Sequence, residues 1–255
     1  MIKKEFPIIE FDPDKNAYIR PSMLLQPMDI SERCVLCFFS DAIEKILKEY
    51  SHKVVTHLIS ECIKIPVYEI NYNGVDIILL QACVGAPMAA GQIEELTVLG
   101  CNKFIACGGC GVLNKDIAVG NLIIPVSAVR DEGTSYHYIE PSREIFANEK
   151  VVKVIEDTLS SQYIPYIKAK TWTTDAFFRE TPARVELRKS EGCVTVDMEA
   201  SAFIAVAEYN NVEFGQILYA GDSLAGEEWD YRGWNNREKV RELALRLALD
   251  SCLRL

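Results

Sequence analysis

Short apolar runs and helical stretches alternate along most of the chain. The apolar runs predict strands over 34–39, 54–59, 67–72, 75–83, 103–107, 122–126, 167–172, 193–196 and 214–220. Apolar residues at helical spacing predict helices over 41–50, 87–99, 148–160, 200–210 and 235–255. Strands that alternate with helices indicate an α/β fold, in which helices pack against a central sheet.

The first 33 residues lack this periodicity. They contain four prolines, Pro7, Pro13, Pro21 and Pro27. We therefore expect an extended arm over residues 1–33, which wraps the domain or a neighbouring subunit. No later segment has the composition of a linker, so residues 34–255 are predicted to form one domain.

Composition excludes several classes of function. The formal charge is −10 and no basic patch is visible, which argues against a nucleic-acid partner. Neither a signal peptide nor a run of about 18 apolar residues is present, so we expect a cytoplasmic protein without a membrane partner. Small-molecule chemistry is the better expectation.

The nine cysteines do not indicate a metal site. Their number is odd and most lie in apolar runs, which favours buried thiols over disulfides. Two CxxC pairs, Cys34 with Cys37 and Cys107 with Cys110, begin in or end apolar strands. Because alternate side chains of a strand point to opposite faces, these pairs are not expected to bind zinc.

Two acidic residues each follow a predicted strand. Glu199 comes just after strand 193–196, and Asp222 comes just after strand 214–220. Ligands of open α/β sheets bind beyond the carboxyl ends of the strands, so both carboxylates are expected to face one pocket. Taken singly, Glu199 could be a first-turn acid and Asp222 a turn residue. Together they suggest a polyol-binding carboxylate and a proton donor.

The string VDMEASAF, followed by a strand that ends in Asp222, resembles the nucleoside phosphorylase and nucleosidase superfamily of the purine nucleoside and uridine phosphorylase type. The resemblance implies a three-layer α/β domain with a mixed, partly closed sheet. It also implies that Met198 packs on a ribose and that Glu199 accepts hydrogen bonds from the ribose hydroxyls. In the purine-acting members an acid at the position of Asp222 protonates N7 of the base.

Other segments extend the resemblance to base and ribose contacts. TTDAFF implies that Phe177 stacks on the base, although Phe177 could equally be a core aromatic. The glycine-rich segment after strand 103–107 implies that Gly108 and Gly109 line the nucleoside pocket, and Asp197 is also expected near the base. The segment RDEGTSYHY adds His137 as a ribose candidate; a loop network without a ligand is the plainer interpretation of that segment.

A dinucleotide-binding interpretation of the glycines fails. Gly109 and Gly111 match the first positions of the fingerprint, but the third position is Asn114 and no helix follows. A nicotinamide-dependent oxidoreductase is therefore disfavoured, and no cofactor other than phosphate as co-substrate is expected.

The phosphate site is where the resemblance is weakest. The positions that bind phosphate in phosphorolytic relatives match Phe38, Ala42, Ala106 and Gly109, which lack the family's phosphate-binding groups. A rearranged site could use other groups. The candidates are Ser40, the helix start at Gly85, Arg20, Arg130 and Arg179.

The leading hypothesis is a nucleoside phosphorylase that releases a free base and ribose 1-phosphate. Purine nucleosides are favoured, because pyrimidines lack N7 and because the family's uracil-reading Gln and Arg match Thr181 and Ala183. The alternatives are a hydrolytic nucleosidase that uses water and an inactive nucleoside-binding paralogue. The resemblance also implies a homo-oligomer, either a dimer or a hexamer of dimers.

Overall fold

The structure, a computed structural model, describes residues 3–255, so residues 1 and 2 of the predicted arm lie outside the described residues. Residues 3–255 contain ten strands and six α-helices. The strands are β1 (Arg33–Cys37), β2 (His52–Ile59), β3 (Lys64–Tyr72), β4 (Val75–Gln81), β5 (Lys103–Val112), β6 (Leu122–Asp131), β7 (Glu144–Phe146), β8 (Tyr166–Thr174), β9 (Cys193–Asp197) and β10 (Glu213–Ser223). The α-helices are α1 (Ser40–Glu49), α2 (Ala86–Leu99), α3 (Glu149–Ser161), α4 (Pro182–Ser190), α5 (Ala200–Asn210) and α6 (Glu238–Leu253).

All ten strands form one mixed sheet, in the order β10-β6-β8-β9-β5-β1-β4-β3-β2, with β7 paired to β6. An additional parallel pairing of β10 with β5 closes β5, β9, β8, β6 and β10 into a ring. The expected α/β domain with a mixed, partly closed sheet and flanking helices is therefore confirmed.

The most buried strands are those whose sequence is continuously apolar. Residues 34–37 of β1 and 77–80 of β4 are fully buried, and these two strands pair in parallel with each other. Parallel strands covered on both faces show this pattern, because neither face meets water. Helices α1, α3 and α6 pack together on the sheet, while α2 packs against α5.

Strand β5 is longer than the sequence predicts. Its glycine-rich end, predicted as a turn after Cys107, continues as strand to Val112 and pairs with β10 and β9. Glycine is required here because neighbouring side chains press on the backbone. A Cβ at Gly108 would lie 2.9 Å from the Phe38 ring, and one at Gly111 would lie 2.8 Å from Val196.

Strand β6 and helix α4 also differ from expectation. Strand β6 runs to Asp131, so the first part of the predicted loop 127–141 is strand paired with β8. Helix α4 was not expected, because its amphipathic pattern is short; Pro182 occupies its first turn.

The segment before β1 has two short 3₁₀ helices, Pro7–Ile9 and Pro21–Met23. It contacts the domain through a hydrogen bond of 3.0 Å from Met28 N to Leu99 O.

Candidate active site

One cavity of about 920 Å³ opens at the carboxyl ends of the central strands. Its walls come from the start of α1, the glycine-rich end of β5, the loop before α4, the β9–α5 junction and the segment after β10. Glu199 and Asp222 both line this cavity. The described residues include no helix that is both long and apolar enough to cross a membrane.

The β9–α5 junction is held by the carboxylate of Asp197. Its Oδ1 accepts hydrogen bonds from the hydroxyls of Thr171 and Thr173, at 3.1 and 2.9 Å. Its Oδ2 accepts from the amides of Glu199 and Ala200, at 3.0 and 2.6 Å. A carboxylate accepts about four hydrogen bonds, so these four donors use its capacity. Asp197 lines the cavity, but the hydrogen bonds of its carboxylate hold β8 and the β9–α5 junction together.

Glu199 is oriented from the other side of the cavity. Its Oε1 accepts a 2.6 Å hydrogen bond from the amide of Gly85, in the turn between β4 and α2. Gly85 adopts φ +101°, a conformation that favours glycine, and this aims its amide at the carboxylate. Glu199 is only 7% exposed, so its carboxylate is largely shielded from solvent. The Gly85 amide, a candidate for phosphate, is thereby occupied.

Burial disfavours the charged form of Glu199. Burial and, to a smaller extent, the nearby Asp197 raise the pKa of Glu199 to about 8, against the opposing effect of hydrogen bonds from the amides of Gly85 and Met198. Donors from a bound diol would stabilise the anion of this carboxylate. Met198 lies beside it and also lines the cavity.

Asp222 stands at the end of β10. Its Oδ2 accepts a 2.6 Å hydrogen bond from Nε1 of Trp229, on the segment after the strand. The carboxylate lies beside Gly111 of β5, where a Cβ would be in ordinary van der Waals contact with Oδ1 of Asp222, at 3.6 Å. Within residues 3–255, Oδ1 has no hydrogen-bond donor and remains available to a ligand.

A third carboxylate, Glu180, was missed by the sequence analysis. It lies in the loop before α4 and lines the cavity. Burial and, to a smaller extent, the charge of Asp222 raise the pKa of Glu180 to about 7, against the opposing effect of Arg184. In the described part of the chain its carboxylate has neither a hydrogen bond nor a salt bridge. The only sequence signal was an acid three residues after Phe177.

Aromatic side chains surround this end of the cavity. Phe177 and Phe178 are 49% and 87% exposed, and their ring centroids lie 4.0 Å apart. Trp229 is 61% exposed and contacts Tyr231 edge-on, at 5.6 Å between centroids. These rings are therefore surface aromatics at a cavity mouth, not members of the core. A planar base could stack there.

The cavity lining also includes Ser40, Asp41 and Arg241. Arg241 comes from the first turn of α6, and its Nη1 lies 3.5 Å from Oδ1 of Asp41. Its guanidinium stands over the rings of Phe39 and Trp234, at 5.4 and 6.0 Å from their centroids. Among residues 3–255 it is the only lysine or arginine that lines the cavity.

Arg130, a phosphate candidate, lies outside the cavity. Its guanidinium is buried and donates to Ser135 Oγ at 2.9 Å, to the Glu140 carbonyl at 2.7 Å and to Ser142 Oγ at 2.8 Å. It therefore organises the loop after β6. This is the loop network that the sequence analysis left open as the plainer interpretation.

Some of the other predicted site residues line the cavity, and others lie outside it. Gly109 and Ser40 line the cavity, while Gly108 is covered by Phe38. Three more candidates, all exposed, lie outside the cavity lining: Arg20, His137 and Arg179. Residues 3–255 contain no group of three or more His, Cys, Asp or Glu side chains that could hold a metal ion.

Comparison with known proteins places this geometry in a family. The family model described as "Phosphorylase superfamily" matches residues 32–253. The chain belongs to the phosphorylase superfamily. Within this superfamily it is 24% identical over 242 residues to guanosine phosphorylase of Halorubrum lacusprofundi, covering 91% of this chain and 97% of the relative. It is 35% identical over 107 residues to uridine phosphorylase of Thermococcus kodakarensis, covering 42% of this chain and 39% of the relative.

Two solved structures share the fold. Purine nucleoside phosphorylase from Toxoplasma gondii superposes with a TM-score of 0.77 at 20% identity, covering 90% of this chain and 96% of that one. AMP nucleosidase from Bacteroides thetaiotaomicron superposes with a TM-score of 0.71 at 21% identity, covering 89% of each chain. At such identities the likeness is one of fold.

Proposed function

We propose that the protein is a nucleoside phosphorylase that acts on 6-oxopurine nucleosides such as guanosine. It would cleave the bond between base and ribose with phosphate, and release the free base and ribose 1-phosphate. The observation that carries the proposal is the convergence of Glu199, Asp222 and Glu180 on one cavity. Guanosine phosphorylase is also the printed name of a relative that matches nearly the whole chain.

The ribose would bind at Glu199. One carboxylate oxygen is fixed by the Gly85 amide at 2.6 Å, which leaves the other to accept from the 2′- and 3′-hydroxyls. Met198 would pack on the apolar face of the sugar. A ribose held in this way is oriented for attack at C1′, and orientation supplies a large part of such catalysis.

The base would bind between Phe177, Asp222 and Glu180. A carboxylate at Glu180 can accept from N1–H of a 6-oxopurine and from the 2-amino group of guanine. Adenine presents an unprotonated N1, which a carboxylate disfavours. A site built to accept these hydrogen bonds discriminates strongly against a base that cannot donate them.

In the reaction, a phosphate oxygen forms a bond to C1′ as the bond from C1′ to N9 breaks. The electron pair of that bond enters the purine ring, and Asp222 donates a proton to N7, so that the base leaves neutral. The sugar carries positive charge in the transition state, and Glu199 stabilises that charge. Asp222 regains its proton from solvent after the base departs.

Hydrolysis is the second candidate, and a specific observation favours it. The positions that match the family's phosphate groups are Phe38, Ala42, Ala106 and Gly109, and Arg241, the only cation that residues 3–255 bring to the cavity, faces Asp41 at 3.5 Å. AMP nucleosidase is one of the proteins with the same fold. With water as nucleophile, Glu199 and Asp222 would keep their roles.

A substrate panel separates these functions. Release of free base is measured from guanosine, inosine, adenosine, uridine and methylthioadenosine, each with and without phosphate. The proposal expects phosphate-dependent release, fastest from guanosine. Release without phosphate would make the protein a nucleosidase. Nucleoside-dependent thermal stabilisation without turnover would indicate an inactive binding paralogue.

A further inference from the structure

The start of α6 brings an arginine into a cavity whose expected anion site has been filled. Phe38 lies against Gly108, where a Cβ would be only 2.9 Å from the ring. Phe38 also packs edge-on against Phe203, at 6.5 Å between centroids. An apolar ring thus occupies the space beside Gly108 of β5. A phosphate in this cavity therefore needs a different cation.

Arg241 does not use all of its donors. Its guanidinium has five N–H groups and faces the carboxylate of Asp41 and the hydroxyl of Tyr219, and its buried Nε has no hydrogen-bond partner within residues 3–255. Its contact with Asp41, at 3.5 Å, is longer than the 2.7–2.9 Å of a tight charge-assisted hydrogen bond. The rings of Phe39 and Trp234 hold the guanidinium between them without using its N–H groups.

Two further donors face the same end of the cavity. Ser40 lines it with an exposed hydroxyl and begins α1, a helix of 10 residues without a side-chain cap. The first amides of such a helix are free to bind an anion. Arg241, Ser40 and these amides provide the fork and the point donors that a tetrahedral oxyanion requires.

We propose that Arg241, together with Ser40 and the first turn of α1, binds the phosphate co-substrate. The inference rests on the proposed phosphorolysis and identifies which group replaces the family's phosphate ligands. Asp41 holds the guanidinium when no phosphate is bound, and phosphate takes its place as partner. The C-terminal helix then supplies a substrate ligand to a site otherwise built from strand ends.

The test compares Arg241→Met with Lys239→Met, which removes an exposed cation from the same turn of α6. Guanosine turnover is measured across a range of phosphate concentrations, and thermal melting is measured with inorganic phosphate against chloride at equal ionic strength. We expect Arg241→Met to raise the KM for phosphate about tenfold or more, with a much smaller change in the KM for guanosine. Lys239→Met should match the wild type.

The two readouts separate this inference from the proposed function. Phosphate-dependent turnover with an unchanged KM for phosphate in Arg241→Met would overturn the role of Arg241 and leave phosphorolysis intact. Phosphate-independent turnover would overturn phosphorolysis. In that case, stabilisation by phosphate that Arg241→Met abolishes would still support an anion site, and stabilisation that it retains would overturn the site.

Two additional measurements strengthen the design. Arg241→Lys keeps the charge and the helix packing, so it should recover part of the phosphate affinity even if Arg241→Met melts at a lower temperature. Guanosine 5′-monophosphate without added phosphate is the second substrate. Base release from it that depends on Arg241 would overturn the assignment to the co-substrate, because the bound phosphate would then be the nucleotide's own.

Discussion

The β9–α5 junction and the segment after β10 hold their carboxylates in opposite ways. Glu199 is 7% exposed and fixed by a backbone amide, and its junction is tied to β8 through Asp197. Asp222 relies on Trp229, whose ring is 61% exposed. The difference suggests a division of labour. The proposed ribose half of the site is tied to the sheet by buried hydrogen bonds, while the proposed base half combines Asp222 of β10 with aromatic rings on exposed loops.

The largest expected effect is at the proposed ribose half. Glu199→Gln keeps an oxygen for the Gly85 amide but removes the charge that we propose holds the ribose hydroxyls and stabilises the sugar cation. We expect kcat/KM to fall about 10³-fold, with the fold retained. Steady-state kinetics and circular dichroism measure both quantities. Glu208→Gln, an exposed change on the same helix, is the control, and wild-type turnover in Glu199→Gln would remove Glu199 from the ribose role.

A smaller loss is expected at Asp222. Asp222→Asn retains the hydrogen bond from Trp229 but cannot supply a proton to N7. We expect the rate of base release from guanosine to fall about 10²-fold. A substrate whose leaving group needs no proton, such as a nitrophenyl riboside, should lose much less. An equal loss with both substrates would show that Asp222 does not act as an acid.

Glu180 should affect selectivity and pH dependence rather than the chemical step. Because its pKa is raised to about 7, the carboxylate ionises as pH rises through that value, and the KM for guanosine should fall between about pH 6 and pH 8. Glu180→Gln should raise this KM about tenfold, flatten its pH profile and reduce discrimination against adenosine. Unchanged selectivity in Glu180→Gln would place the base elsewhere.

The smallest effect is expected at Trp229. Trp229→Phe keeps an aromatic ring but removes the N–H that binds Asp222. We expect a change in kcat of about fivefold or less and no change in melting temperature, because one exposed hydrogen bond is lost. A loss as large as that of Glu199→Gln would contradict this division between the two halves and make the Trp229 contact part of the fixed machinery.

The strand ends that carry Glu199 and Asp222 were predictable, because each acid directly follows a continuous apolar run. Buried parallel strands must be apolar on both faces, and that leaves a clear signal in the sequence. The glycines of β5 misled the prediction. Glycine usually marks a turn, but Gly108 and Gly109 lie within β5. Their lack of a side chain lets the rings of Phe38 and Tyr219 pack against the strand.

Glu180 and Arg241 were not predictable from the pattern. Glu180 lies in a short loop where periodicity has no meaning, and Arg241 belongs to an amphipathic helix whose charged residues resemble a solvent face. Arg130 misled in the reverse direction. The sequence alone shows no partner for Arg130, because its hydrogen bonds form only when the following loop folds back onto the end of β6.

The pairing of β10 with β5 has a practical consequence for protein engineering. The closed ring fixes the points at which the loops over residues 175–181 and 224–236 leave the sheet. Substitution libraries confined to these two loops would alter the surroundings of the base while the ring and the Glu199 junction stay intact. If the protein has the proposed activity, such libraries can select a changed nucleobase preference without redesign of the fold.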